Sequence, residues 1–258
     1  MTTVPQFDLT GRVALVTGAS SGFGAHFSRL LAAAGAAVVM GARRADRLAA
    51  LEAEIRAAGG KALAVSLDVA DEAATIAAYD AAEAAFGTVD TIVANAGIAD
   101  DQLALKVDMD SFDRVIATNL RGPFLTVREG AKRLIAAGSQ DKENGRVVII
   151  GSITSKKAFP GSTPYSATKA GVTQMARLMA REWARKGINV NVIEPGYFPT
   201  EITGELMESE LGDALLKTFA RRRWCEIPAM DVPLLYLCSD LSRYVTGSTI
   251  TVDDGQLL

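Results

Sequence analysis

Histidine is almost missing from this chain: His26 stands alone among 258 residues. A Ser-His-Asp triad could draw on no other imidazole, and His26 falls beside a glycine-rich turn, a few residues into a helical pattern. Packing, or a solvated helix face, suits it better than catalysis. Acid/base chemistry is thereby pushed onto Tyr, Lys, Asp or Glu. Cysteine is nearly as scarce. Cys225 and Cys238 are too few for a disulfide framework and cannot alone complete a zinc site. The expectation is a pair of reduced thiols in a cytoplasmic protein, with no metal. An excess of one charge is lacking too: 27 Lys and Arg face 30 Asp and Glu, so neither nucleic acid nor an anionic membrane is indicated as a partner. No run of about 18 apolar residues occurs, which argues against a membrane-spanning helix. Met1 to Thr10 has neither the basic nor the apolar stretch of a signal peptide.

Aliphatic residues are what the chain has. Hydrophobic residues make up 49% and aromatics only 6%, so the core should be built from Ala, Val, Leu and Ile. Short apolar runs begin at Val13, Ala37, Ala62, Thr91, Val147, Ile188 and Thr249. Most are continuously apolar, the pattern of parallel strands covered on both faces. Helical stretches span 22–34, 45–58, 71–86, 111–137, 163–186 and 201–219. The alternation predicts an α/β fold: a doubly wound, Rossmann-type parallel sheet of seven strands with helices on both faces. A single catalytic domain over 1–258 is expected, since no linker or repeat is visible. Met175 and Met179, at helical spacing, read as core. Ser139 to Gly145 reads as a polar surface loop. Arg221-Arg222-Arg223 is the one basic run; a solvated face is its default reading, and a site for a phosphate-bearing substrate is the alternative.

The first strand runs into Thr17-Gly18-Ala19-Ser20-Ser21-Gly22-Phe23-Gly24, followed by a helix. Glycines there allow a tight turn and close backbone approach to a pyrophosphate, which the helix N-terminus would attract. Glycine spacing alone is a weak signal, and its place between strand and helix strengthens it. The second strand ends where such a fold meets the adenosine ribose. An acid there would favour NAD, but this chain has Ala42 followed by Arg43 and Arg44. Guanidinium groups suit a 2′-phosphate, so NADP(H) is expected in preference to NAD(H).

Tyr165-Ser166-Ala167-Thr168-Lys169 puts a phenol and an ammonium one helical turn apart. A free tyrosine has a pKa of about 10, too high for efficient proton exchange near neutrality. Lowering it by about 3 units takes roughly 4 kcal/mol. One cation at about 4 Å, at an effective dielectric near 20, supplies that much, so Lys169 is expected to acidify Tyr165. Ser152 follows the fifth strand, where ligands of open α/β sheets bind, and could hydrogen-bond a substrate oxygen.

Taken together, Thr17 to Gly24, Leu67-Asp68-Val69, Asn95-Ala96-Gly97, Thr118-Asn119-Leu120, Gly151-Ser152, Tyr165 to Lys169, Pro195-Gly196 and Val252-Asp253 resemble the short-chain dehydrogenase/reductase family, from Leu9 to Leu257. The resemblance implies a sheet order 3-2-1-4-5-6-7, a homotetramer and hydride exchange between a nicotinamide and a carbonyl or alcohol carbon. It implies Tyr165 as proton donor and acceptor, and Lys169 as its activator and ribose ligand. Ser152 would bind substrate oxygen, and Asn119 a water linking Lys169 to solvent. Gly18, Ser20, Ser21, Gly22, Phe23, Gly24, Arg43, Arg44, Asp68, Val69, Asn95, Gly97, Pro195, Gly196, Phe198 and Thr200 would join Tyr165 and Lys169 in holding the cofactor. Two departures stand out. Asp253-Asp254-Gly255 replaces the usual Asp-Gly-Gly, and Ser21 stands where many NADP-preferring relatives carry a base.

A small-molecule ketone reductase or secondary alcohol dehydrogenase is the leading expectation. A 3-oxoacyl-carrier-protein reductase is the alternative within the enzymes; an NADP-binding redox sensor and a nucleotide-sugar epimerase or dehydratase are the others. Residues 199–220, with Glu201, Ile202, Leu206, Met207, Leu211, Leu215, Leu216 and Phe219, read as a helical lid whose apolar side chains suit an apolar, bulky substrate or else only pack the lid.

Overall fold

The computed structural model describes residues 6–258; the Met1–Pro5 part of the amino-terminal segment lies outside the described residues. Seven strands form one parallel sheet: β1 (Val13–Thr17), β2 (Ala37–Ala42), β3 (Lys61–Ser66), β4 (Thr91–Ala94), β5 (Gly145–Ile150), β6 (Ile188–Pro195) and β7 (Thr249–Val252). Their order is β3-β2-β1-β4-β5-β6-β7, every neighbouring pair parallel. This is the doubly wound Rossmann-type sheet that the apolar runs imply. Every residue of β1, β2, β4 and β5 is buried, which is why these strands read as unbroken apolar stretches rather than alternating ones.

Helices α1 (Gly22–Ala33), α2 (Ala45–Ala57) and α3 (Glu72–Phe86) follow the first three strands. Next come α4 (Met109–Ile116), α5 (Gly122–Ala136), α6 (Ser139–Lys142) and α7 (Thr163–Trp183), then α8 (Gly204–Met207), α9 (Glu210–Thr218) and α10 (Asp231–Cys238). Strand side chains alternate between two cores. Ala14 and Val16 join Phe27 and Leu31 of α1, Leu48 and Leu51 of α2, and Leu234 of α10. Val13 and Leu15 join Tyr79 of α3, Val127 of α5, and Val172 and Met179 of α7. Each fully buried aliphatic side chain contributes roughly 1.5–3 kcal/mol.

The amino-terminal rim of the sheet is tied by charge. Arg12, just before β1, pairs with Asp90 at 3.4 Å and with Asp240; Arg146 of β5, 1% exposed, reaches the same Asp240 at 3.2 Å. His26 of α1 is paired with Asp231 of α10 at 2.5 Å.

Two helical stretches and one loop differ from the sequence pattern. The stretch 111–137 is not one helix. It breaks into α4, a π-turn over Ala117–Arg121, and α5. Pro123 has no N–H, so it withholds the donor that an unbroken α-helix would offer the carbonyl of Asn119. The stretch 201–219 is two short helices, α8 and α9, because Ser209 caps a new start through its hydroxyl and the Gly212 N–H. The polar segment 139–145 begins with α6 rather than a loop: the Ser139 hydroxyl is buried and donates to the Lys186 carbonyl at 2.6 Å. No described helix is long and apolar enough to cross a membrane.

Candidate active site

A cleft opens at the carboxyl ends of the strands. The turn from β1 into α1 forms one wall. Gly18 has φ +68°, and a Cβ on it would come within 2.8 Å of the Ala96 Cα. At Gly24 a Cβ would overlap the Gly18 carbonyl, so this glycine closes the turn rather than facing the cleft. Asn95 braces the turn from β4: its amide donates to the Thr17 carbonyl at 2.9 Å. Ser21 precedes α1 without a side-chain hydrogen bond to the first-turn N–H groups, which leaves them for an anion. Ser20, Ser21, Gly22 and Phe23 line the cleft, with Arg43, Arg44, Asp68 and Val69 at one end and Pro195, Gly196, Phe198 and Thr200 at the other. Gly97 lies between, where an added Cβ would meet nothing closer than 3.5 Å. An uncapped helix start, open glycines and a long trough of this shape fit a dinucleotide.

The basic end has its own order. The Arg44 guanidinium donates to the hydroxyls of Ser20 and Ser21 at 3.0 and 2.7 Å and pairs with Glu201 at 2.9 Å. Glu201 also pairs with Arg47. Arg43 is exposed and enters no ion pair among the described residues.

Ser152, Tyr165 and Lys169 line the inner part of the trough. Ser152 is held by its own turn: Thr154 donates to its hydroxyl through the backbone N–H at 3.2 Å and through Oγ1 at 3.1 Å. Lys169 Nζ donates to the Ile150 carbonyl at 2.8 Å and sits 5.4 Å from the Tyr165 ring centre. Burial pushes the Tyr165 phenol up to about 12, with Asp101 adding to the push and the Ser152 hydroxyl pulling the other way. Burial lowers the Lys169 ammonium to about 8. The expected acidification of the phenol by Lys169 therefore does not arise from the protein groups alone. The ammonium lies over the ring, and burial sets the direction of the shift in both groups.

Asn119 is fully buried behind this wall, and both ends of its side-chain amide are taken by the backbone of Ile98, at 2.9 and 2.8 Å.

Three neighbours were not legible as site residues. Glu194, fully buried at the end of β6, accepts from Ser155 at 2.6 Å and Thr173 at 3.0 Å, and pairs with Lys156 at 2.6 Å. It thereby joins the Ser152 turn to the helix bearing Lys169. The signal for it was a lone charged residue at the end of a strand that otherwise carries no charge. Gln256, also buried, accepts from the Tyr197 N–H at 2.7 Å and fixes the segment after Gly196. Glu201 is the third. On the outer side, Tyr197 packs among Phe159, Phe219 and Trp224. The 199–220 segment buries Phe219, leaves Leu206, Met207, Leu215 and Leu216 half-buried, and exposes Ile202 and Leu211. Arg221 and Arg223 pair with Asp254, at 3.4 and 2.6 Å. Both cysteines are free and buried, and no group of three or more His, Cys, Asp or Glu among the described residues could hold a metal.

A parallel sheet of this order, with a phosphate turn after β1 and a Tyr-Lys pair on α7, defines an oxidoreductase that uses a nicotinamide cofactor. The chain belongs to the short-chain dehydrogenase family, whose model matches residues 12–211. It is 35% identical to gluconate 5-dehydrogenase of Gluconobacter oxydans (strain 621H), over 96% of each protein. It is 39% identical to cis-4-hydroxycyclohexanecarboxylate dehydrogenase of Sinomonas cyclohexanicum, over 95% of this chain and 96% of that protein. Among solved structures it resembles a gluconate 5-dehydrogenase from Burkholderia cenocepacia J2315 in complex with NADP and tartrate. There the TM-score is 0.91 and the identity 35%, with 97% of each chain covered.

Proposed function

We propose that the chain moves a hydride between NADP(H) and the carbonyl or alcohol carbon of a small-molecule ketone or secondary alcohol, with Tyr165 exchanging the proton. One observation carries this reading: Ser152, Tyr165 and Lys169 line the same trough as the phosphate turn. When bound, the nicotinamide supplies or takes the hydride. Ser152, its hydroxyl oxygen already accepting from Thr154, keeps its own proton free to hold the substrate oxygen beside the phenol. Tyr165 gives its proton to that oxygen in reduction and takes it back in oxidation. Lys169 holds the nicotinamide ribose and, when protonated, favours the phenolate. Asn119 contributes to proton resupply by holding a water that links Lys169 to solvent, its side chain being oriented by the Ile98 backbone.

Preference for NADP over NAD follows from the basic end. The guanidinium of Arg44 lies against Ser20 and Ser21 and so supplies the charge that Ser21 lacks, while Arg43 is left for a 2′-phosphate. The likeness to a structure bound to NADP supports this.

Phe159, Tyr197 and the apolar side of the 199–220 lid suit a bulky, largely apolar substrate. Two of the relatives are named for substrates that carry a carboxylate. Asp101 raises both Tyr165 and Tyr197, so its negative field reaches the pocket and disfavours an anion there. The carrier-protein alternative is less well supported, because Asp254 neutralises Arg221 and Arg223. The intact Ser152, Tyr165 and Lys169 set favours turnover over sensing. Residues 1–258 are read as one catalytic domain working in the cytoplasm, consistent with two free thiols. A homotetramer is supported by the exposed Met109, Phe124 and Leu178 on α4, α5 and α7. Assays of neutral and carboxylated ketones with NADPH and NADH in parallel test the reading: consumption of NADPH with neutral ketones is expected, and preferential use of carboxylated ketones or of NADH would overturn the corresponding half.

A further inference from the structure

We infer that Glu201 is a counter-charge that sets how strongly the site prefers NADP over NAD. The inference rests on the reading of Arg43 and Arg44 as the 2′-phosphate end. Glu201 is the residue after Thr200, at the root of the 199–220 segment, and its side chain crosses the mouth of the trough. Its carboxylate meets Arg44 Nη1 at 2.9 Å and also Arg47. The other two edges of the Arg44 guanidinium are taken by Ser20 and Ser21. Each of the three Arg44 nitrogens thus has one partner within the protein. The segment's root is also seated on the phosphate turn, for a Cβ added to Gly22 would touch the Thr200 side chain at 3.5 Å.

A 2′-phosphate arriving beside Arg43 enters a group of three guanidiniums, Arg43, Arg44 and Arg47, already partly neutralised by one carboxylate. Two consequences follow. The phosphate is repelled by Glu201, and it competes with Glu201 for Arg44. A 2′-hydroxyl carries no charge and undergoes neither effect. Hydrogen bonds from Arg47, Ser21 and Arg44 lower the Glu201 carboxyl to about 2, so the charge is present throughout the working range of pH. The relation of Glu201 to the two cofactors is therefore unequal, and this inequality is what separates a specificity role from a simple latch. A latch would hold both dinucleotides alike.

Glu201→Gln keeps the length of the side chain and an oxygen to accept from Arg44, and removes the charge together with the acceptor facing Arg47. Dissociation constants for NADPH and NADH are measured by fluorescence titration at low and high salt, so that the readout is binding rather than turnover. With Glu201→Gln, NADPH should bind about five- to tenfold more tightly, as expected for one unit charge a few ångströms from a phosphate at a solvated site. NADH should change less than twofold, and the gain for NADPH should shrink at high salt. Glu205→Gln, an exposed acid on the same segment, should leave both constants unchanged. An unaltered NADPH constant, or equal changes for both cofactors, would overturn the inference. Arg43→Ala separates the layers. If it weakens NADPH alone while Glu201→Gln leaves the ratio untouched, only the role of Glu201 is wrong. If Arg43→Ala leaves NADPH binding unchanged, the 2′-phosphate reading fails and takes this inference with it.

Discussion

The two banks of the cleft are made of different materials. On the cofactor bank the shape comes from backbone: β1 is buried throughout, Gly18 and Gly24 are wedged against neighbouring main chain, and Asn95 is bonded to Thr17. The other bank, Phe198 to Thr203, runs on into the short helices α8 and α9, on which Leu211 lies 70% exposed and just past which Phe219 is buried. A bank of packed backbone recognises one ligand shape and cannot yield without loss of the fold. A bank with few buried contacts opens at low cost and can change its lining with little structural consequence. The molecule separates the part of its task that must be fixed from the part that must adapt.

Substitutions can break or sharpen that contrast. The largest effect belongs where the banks meet. Tyr165→Phe should lower kcat about 10²–10⁴-fold, the usual weight of a positioned acid, with NADPH binding unchanged in titration; retained turnover would assign the proton to another group. Next is Glu194→Ala, which strands Ser155, Thr173 and Lys156 around a buried gap and should cost about 3 kcal/mol in urea unfolding. A loss within error would mean the knot at Glu194 carries no weight. Arg43→Ala should cost roughly 1.5–3 kcal/mol of NADPH binding, the size of a charge-assisted contact, and leave NADH untouched; equal Michaelis constants for NADPH in variant and parent would refute the assignment.

Lys169 gives a smaller effect with a defined sign. Its folded pKa, about 8, lies below the 10.5 of a free lysine because the ammonium is buried. Below pH 8 the folded state must bury a charge. Between 8 and 10.5 the unfolded chain holds more protons than the folded one, so stability rises with pH. Lys169→Met should therefore melt higher than the parent at pH 7 by a few degrees, the gap closing toward pH 10.5; a gap that widens with pH would contradict this. Smallest is Leu211→Ser on the lid, expected within about 0.5 kcal/mol of the parent in stability, yet able to shift KM for the ketone and not for NADPH.

The same contrast decides what could be read in advance. Strands buried on both faces announce themselves as apolar runs, and the phosphate turn as glycines at fixed spacing, because both are local constraints on backbone. The break at Asn119 was also written locally, in Pro123, but an Ala- and Leu-rich stretch around it gave a helical period strong enough to conceal it. Glu194, Gln256 and Glu201 act through partners tens of residues away, as with Glu201 and Arg44, 157 positions apart. No window of sequence contains such a pair. The acidity of Tyr165 misled for another reason: spacing fixes how far apart two side chains start, while burial fixes what each charge costs, and only the packed structure supplies the second quantity.

Arg12 and Arg146 share Asp240 at the rim opposite the cleft. The rear ends of β1 and β5 are thereby fastened to the segment that follows α10, and Asp90 adds β4. Strand register is pinned from behind, so loops at the front can be lengthened, trimmed or exchanged between proteins without the strands sliding past one another. That makes the chain a scaffold with its stiffness on one rim and its capacity for new specificities on the other.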